Sequence, residues 1–368
     1  MRPTWADVDL AAVAHNVELI KKQVEPAAVC AVVKADGYGH GAVPVGRAAV
    51  GAGAEWLAVA LVEEGKVLRD AGIRTPVLVL SEPRPLEMVE VVAYELTPTV
   101  YSGEGLAAAA AAASQASKRL DVHLKVDTGM GRVGAAVEDA VRLSSAIVDK
   151  EPLDLAAIWT HCAIADQPGD PYTERQLDTY QTVLDAVAAA GIEVPMRHAA
   201  NSAVAMAHPR GHYDMVRAGI AVYGLAPSPE LSDMLDLAPV MTVRSQVSFV
   251  KRLAAGARLS YGLEWCTPVA TTIATVPIGY ADGVRRSSGR VGGQVLIGGK
   301  RYPIVGTVTM DQLMVDCGDD DVVAGDEVVL IGAQGGETIG ADEIAAKLGT
   351  ISYEVVCDIE SRVSRRYL

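Results

Sequence analysis

The 368-residue chain has no run approaching the roughly 18–20 apolar residues that cross a bilayer, although half of its residues are apolar. Its opening segment, Met1-Arg2-Pro3-Thr4-Trp5-Ala6-Asp7, has no apolar core of a secretory signal, so a soluble, cytoplasmic protein is expected. The five cysteines (Cys30, Cys162, Cys266, Cys317 and Cys357) are scattered, odd in number and form no C-x-x-C pair, which argues against a disulfide framework and against zinc. His208 and His212 stand four apart, but Pro209 and Gly211 between them break the helix that a metal pair needs. The run Asp319-Asp320-Asp321 reads as a solvated turn, since no second ligand group lies at a metal-binding spacing. No metal is expected. Positive charge is also scarce. The net charge of −14 disfavours nucleic acid and anionic membrane as partners, while leaving room for a local basic pocket that takes a small anion.

What is present is alternation. Short apolar runs at residues 28–33, 57–60, 77–80, 96–100, 122–126, 155–159, 197–199 and 214–217 are separated by segments of helical composition, such as 104–118 and 173–190. The alanine run at 107–113 belongs to one of these, alanine being the best helix former. Eight strands alternating with helices predict an α/β fold of the (β/α)8 TIM-type barrel class over residues 1–237. An open doubly wound sheet would alternate too, but no G-x-G-x-x-G follows the first strand. Beyond about residue 237 the texture changes to period two and to further strand-like runs at 271–276, 294–297, 301–308, 313–316 and 327–331. Gly298-Gly299 reads as a hairpin turn, and residues 341–348 as a short helix. Residues 238–368 are therefore expected to form a second, mostly β domain. The strand-like segment at 4–10 precedes the barrel and could join either domain.

The first barrel strand, Ala28-Val29-Cys30-Ala31-Val32-Val33, runs directly into Lys34. Barrel enzymes place their chemistry at the carboxyl ends of the strands. A lysine there can be desolvated into a neutral, nucleophilic amine, the condition for a Schiff base. Position alone also fits a lysine snorkelling above the core. Three other segments fall near strand ends. His198-Ala199-Ala200-Asn201-Ser202 offers a hydroxyl and amides at a helix start, a phosphate cradle or an ordinary N-cap. Val216-Arg217-Ala218-Gly219-Ile220 and Trp159-Thr160-His161 carry a cation and an imidazole; by themselves the arginine fits a surface ion pair equally well, and such a histidine is more often a satisfied core residue.

The segment Val33-Lys34-Ala35-Asp36-Gly37-Tyr38-Gly39-His40-Gly41 closely resembles the lysine motif of the alanine racemases, enzymes dependent on pyridoxal 5'-phosphate (PLP). Further motifs continue the resemblance, in order, over essentially the whole chain. It implies a PLP-binding barrel, a β-rich C-terminal domain and a head-to-tail homodimer whose two active sites are composite. The expected reaction is the interconversion of L- and D-alanine by two opposed bases, supplying D-alanine for peptidoglycan.

On this resemblance Lys34 carries the cofactor and serves one face of the substrate. Tyr38, Asn201, Ser202, Gly219, Ile220 and Tyr353 surround the phosphate. Arg217 meets the pyridine nitrogen, with His161 linking it to the second catalytic base, Tyr261 of Ser260-Tyr261-Gly262, supplied by the partner subunit. In Lys125-Val126-Asp127-Thr128-Gly129-Met130-Gly131-Arg132, Arg132 orients the cofactor and the substrate carboxylate, and Lys125 matches a lysine carbamylated in many members. Met310 and Asp311 border the substrate carboxylate, and Tyr280 stands at the entrance with Arg286 and Asp166 further out. Thr309 stands where the family usually has cysteine. Arginine keeps its proton, so it leaves the pyridine nitrogen unprotonated, a setting for racemisation rather than transamination.

Two neighbouring readings differ in the residues they require. A PLP-barrel decarboxylase uses a glycine-rich phosphate loop and a cysteine acid. A PLP-carrying regulatory barrel needs neither Tyr261 nor Met310-Asp311. A racemase of broader specificity shares every motif, because pocket volume is not written in sequence.

Overall fold

A computed structural model describes residues 2–368. They divide into two compact units. One comprises residues 11–37 and 42–238; the other gathers the N-terminal residues up to Leu10, Tyr38–Gly41 and Pro239–Leu368.

Strand β1 (Thr4–Val8) belongs to the second unit. The next eight strands build the first: β2 (Ala28–Val32), β3 (Trp56–Val59), β4 (Val77–Val79), β5 (Thr97–Val100), β6 (Leu120–Lys125), β7 (Leu153–Trp159), β8 (Met196–His198) and β9 (Met215–Ala218). All the pairings are parallel, each strand beside its sequence neighbour, with β9 returning to β2 through Cys30 opposite Arg217. Between β8 and β9 the ring closes through single backbone bonds, Asp214 N to Arg197 O at 3.0 Å and Arg217 N to Ala200 O at 3.0 Å. This is a parallel eight-stranded (β/α)8 barrel. Its strands are near-continuous apolar runs because both faces are covered, and β3, β4 and β5 bury Leu57, Ala58, Val59, Val77, Leu78 and Val100 almost completely. The alanine run lies in the helix Gly103–Gln115, which starts on a Ser102 side-chain cap to Gly105 N and buries Ala109, Ala110, Ala112 and Ala113.

The second unit is mostly β. Its main sheet runs Phe249–Leu253, Thr271–Val276, Leu313–Gly318, Lys300–Val305, Gln294–Ile297, Glu327–Gln334, Met241–Gln246, β1 and Ser364–Tyr367. Ile297 pairs with Lys300, and Gly298 and Gly299 between them both take positive φ, which makes the two-residue hairpin turn. The expected helix is Ala341–Leu348. A short helix that the sequence reading left out, Ser352–Cys357, carries Tyr353. No helix among the described residues is long and apolar enough to cross a membrane.

Candidate active site

In the barrel unit the site begins at the carboxyl end of β2. Directly after Lys34, the backbone turns left-handed for five residues: φ is 51° at Ala35, 48° at Asp36, 61° at Gly37, 51° at Tyr38 and 79° at Gly39. Only Gly37 and Gly39 are free of the Cβ penalty, so the turn stores about 1–2 kcal/mol at each of Ala35, Asp36 and Tyr38. Side chains hold it. Glu64 accepts from Ala35 N at 2.6 Å and from Ala60 N at 2.8 Å, and Asp36 accepts from Ala42 N at 2.9 Å. Lys34 stands, half-buried, at the start of this fixed turn.

Across the same end of the barrel, Arg217 on β9 is buried and bonded through both terminal nitrogens. Its Nη1 donates to His198 Nδ1 at 2.7 Å. Its Nη2 donates to Thr160 O at 2.8 Å and Ala199 O at 3.0 Å, and lies 3.3 Å from His161 Nδ1. The guanidinium also lies 4.5 Å over the Trp159 ring. Burial lowers the Arg217 pKa to about 10, so the group stays charged at neutral pH.

An arginine cannot accept a hydrogen bond, which fixes the tautomers beside it. His198 Nδ1 must be the acceptor, so neutral His198 carries its proton on Nε2 and donates it to His123 Nδ1, 3.1 Å away. His123 is then protonated on Nε2, an atom with no partner among the described residues. Burial and the Arg217 charge push His123 down to about 3 and His198 well below the usual imidazole range. His161 is likewise held neutral by burial and by the charges of Arg217, Lys125, Arg132 and Lys34.

Lys125 ends β6 with its Nζ 4.5 Å over Trp159. Burial, then Arg132, Arg217 and Lys34, lower its pKa to about 7, against a single raising influence from Asp127. Four basic side chains therefore share one strand-end region with little anionic counterweight. Arg132 itself is exposed on a loop organised by Asp127, which accepts from Gly129 N at 2.9 Å and Gly131 N at 3.1 Å.

Asn201 caps the helix Ser202–Ala207, its Oδ1 accepting from Val204 N at 3.0 Å. Ser202 Oγ accepts from Gly219 N at 2.8 Å and from Ala221 N at 3.3 Å. Ala221, absent from the sequence reading, thus joins Gly219 on this hydroxyl, while Ile220 opens the 3-10 turn Ile220–Tyr223.

The β-rich unit carries the remaining candidates. Tyr38 is buried there with its ring 6.2 Å from that of Tyr353, and burial raises its hydroxyl pKa. Tyr261 is 68% exposed on a tight turn in which Ser260 has φ 65° and donates from Oγ to Thr307 O at 2.5 Å. Tyr280 and Met310 are also exposed, at 42% and 52%. Their loops are tied together by Tyr280 N to Thr309 O and Ala281 N to Met310 O, both 3.0 Å. Gly279 permits this approach, since a Cβ there would lie 2.3 Å from Thr309 O. Thr309 closes its own loop by donating to Gln312 O at 2.8 Å. Arg286 is exposed in this unit, and Asp166 sits in the barrel unit with its carbonyl bound by Ser228.

Two family descriptions match the chain: alanine racemase, N-terminal domain, over residues 8–227, and alanine racemase, C-terminal domain, over residues 240–367. The chain belongs to the alanine racemase family. The alanine racemase of Symbiobacterium thermophilum is 50% identical over 100% of this chain and 97% of its own length. That of Desulfovibrio desulfuricans is 44% identical over 100% and 98%. The alanine racemase structure from D-cycloserine-producing Streptomyces lavendulae superposes with a TM-score of 0.95 at 38% identity, covering 100% of this chain and 97% of that one. A histidine racemase from Leuconostoc mesenteroides also superposes, with a TM-score of 0.92 at 28% identity over 100% and 98%.

The sequence reading missed His123 and His198 as the buried backing of Arg217. A signal was available: His123 and Lys125 are two apart on β6, so both point to the same face.

Proposed function

We propose that this racemase interconverts L- and D-alanine with PLP, using Lys34 and Tyr261 as bases on opposite faces of Cα. The observation that carries the reading is the cation-rich strand end, where Lys34, Lys125, Arg132 and Arg217 meet a single opposing carboxylate. That donor set fits a cofactor bearing a phosphate and a substrate bearing a carboxylate. Ser202 Oγ, which accepts from the Gly219 and Ala221 amides, is left to donate its own proton to the phosphate, with Tyr38, Asn201, Gly219, Ile220 and Tyr353 beside it.

When bound, PLP supplies an electron-withdrawing ring that makes the substrate Cα proton acidic. The protein's task is to hold protons at defined atoms. Lys34 Nζ removes or returns the Cα proton on one face, and Tyr261 Oη does so on the other, which inverts the centre without turning the substrate. Arg217 keeps its own proton, anchored by His198, Thr160 and Ala199, so it gives the ring a hydrogen bond rather than a proton. This limits electron withdrawal and favours prompt reprotonation at Cα. Neutral His161 connects Arg217 with the tyrosine. Arg132 and the Met310-Asp311 loop receive the substrate carboxylate. Lys125, whose neutral form is accessible near pH 7, is suited to carbamylation, and the carbamate would pair with Arg132.

Exposure of Tyr261, Tyr280 and Met310 on one chain supports a homodimer in which residues 238–368 complete the partner's site. We place the enzyme in the cytoplasm, supplying D-alanine for peptidoglycan. A racemase of broader specificity is the second reading, favoured by the likeness to a histidine racemase. Chiral assay of the D-enantiomers formed from a panel of L-amino acids with PLP separates the two. D-alanine alone supports the first, several products the second, and no product overturns both.

A further inference from the structure

The β-rich unit contains a chain of four charges, Arg2, Asp282, Arg362 and Asp311, of which only Asp311 has a role in the proposed reaction. Asp282 is fully buried, at the end of the turn that carries Tyr280. Its carboxylate is gripped in bidentate fashion by Arg2, with Nη1 to Oδ2 at 2.9 Å and Nη2 to Oδ1 at 2.7 Å, and Gly279 N donates to Oδ2 at 2.9 Å. Arg362 approaches the same carboxylate more loosely, with Nε 3.5 Å from Oδ1. Its firm bond goes elsewhere, from Nη2 to Asp311 Oδ1 at 2.7 Å. Two cations and two carboxylates cancel, but Arg362 stands between two anions and can fully serve only one.

We propose that Arg2, by occupying the buried Asp282, keeps Arg362 on Asp311, and so sets the charge that the Met310-Asp311 loop presents to an amino-acid carboxylate. The inference rests on the reading that Asp311 borders the substrate carboxylate. An unpaired Asp311 would repel that carboxylate; paired with Arg362 it is neutral overall and still offers its loop backbone.

The direction follows from burial. A buried carboxylate that loses its partner carries a desolvation penalty of several kcal/mol, whereas Asp311 is more than half exposed within its own chain and, bordering the substrate site, loses less solvation than Asp282. When Arg2 is removed, Arg362 therefore moves to Asp282 and abandons Asp311. Arg2 and Arg362 are positioning residues that act on binding, and they touch neither the reacting atoms nor the bases.

Steady-state kinetics of the PLP-loaded enzyme, with thermal melting of each variant, tests the scheme. R362Q raises the KM for alanine about tenfold with kcat little changed, as expected for one uncompensated charge several ångströms away at a partly solvated site. R2Q raises KM in the same sense, about three- to fivefold. R2Q/D282N returns KM to the native value, because no buried anion then draws Arg362 away, and it does so even if its melting temperature stays low. If R2Q/D282N keeps the raised KM, or R2Q changes only the melting temperature, the competition for Arg362 is overturned while the placement of Asp311 stands. If R362Q leaves KM unchanged, Asp311 does not border the substrate carboxylate, and the proposal falls with that reading.

Discussion

The candidate residues of the barrel unit are largely buried and hydrogen-bonded; several of those in the β-rich unit stand exposed. Arg217 is buried and bonded through His198 to His123, His161 is held neutral by burial and neighbouring cations, and the same influences lower Lys125 to about 7. Tyr261, Tyr280 and Met310 instead stand exposed on short turns fixed by backbone bonds. Groups that must keep one protonation state are best placed in a rigid, low-dielectric interior. In the proposed homodimer, groups that complete the partner's site stay on the surface until the subunits meet.

The largest effect is expected at the start of the barrel half. Lys34→Ala removes the amine that one face of the reaction requires, and racemisation falls by at least about a thousandfold. Borohydride treatment of the PLP-loaded native enzyme fixes the cofactor to the chain at Lys34. A Lys34→Ala protein that still yields a reduced adduct at another lysine breaks the assignment.

Arg217 sharpens the contrast chemically. Arg217→Glu can protonate the pyridine nitrogen, so racemisation falls while pyruvate from side transamination rises. Loss of racemisation with no added pyruvate reduces Arg217 to a positioning role.

Stability separates the halves next. Arg217→Gln leaves buried acceptors unsatisfied and costs about 2–4 kcal/mol in denaturant unfolding of the apoprotein. Tyr261→Phe removes one exposed hydroxyl and stays within about 0.5 kcal/mol. Equal costs would erase the distinction between the two regions.

The smallest effect is a pH dependence. The folded pKa of Lys125 is lowered to about 7, below the ordinary lysine value of 10.5. Between these values the unfolded chain binds more protons than the folded one at this site, so stability rises with pH. The penalty for charging Lys125 is fully present below about pH 7 and gone above about pH 10.5. Unfolding midpoints of native protein and Lys125→Met in bicarbonate-free buffer should therefore shift in favour of native as pH climbs through this window. Parallel curves would mean that Lys125 is not desolvated.

Much of the barrel was legible because buried parallel strands are short apolar runs, and because Lys34 follows one of them without a break. The left-handed turn at Ala35, Asp36 and Tyr38 was not, since its non-glycine residues advertise no positive φ, and Glu64, which holds it, is 29 residues from Ala35. Ser364–Tyr367 was missed as a strand because it is charged and lies on a sheet edge, parallel to β1 across almost the whole sequence. The Arg2–Asp282–Arg362–Asp311 network escaped for the same reason: its first link spans 280 positions, and no local pattern encodes it.

The central claim, that one chain's finished half works with another chain's exposed half, is tested most directly by mixing two inactive variants. Lys34→Ala and Tyr261→Phe subunits, dissociated and reassociated in equal amounts, should give about half mixed dimers, each with one working site of two. About one quarter of native activity should then return. No recovery, in a mixture whose tagged subunits are shown to have exchanged, would place both bases in the same chain and contradict the account.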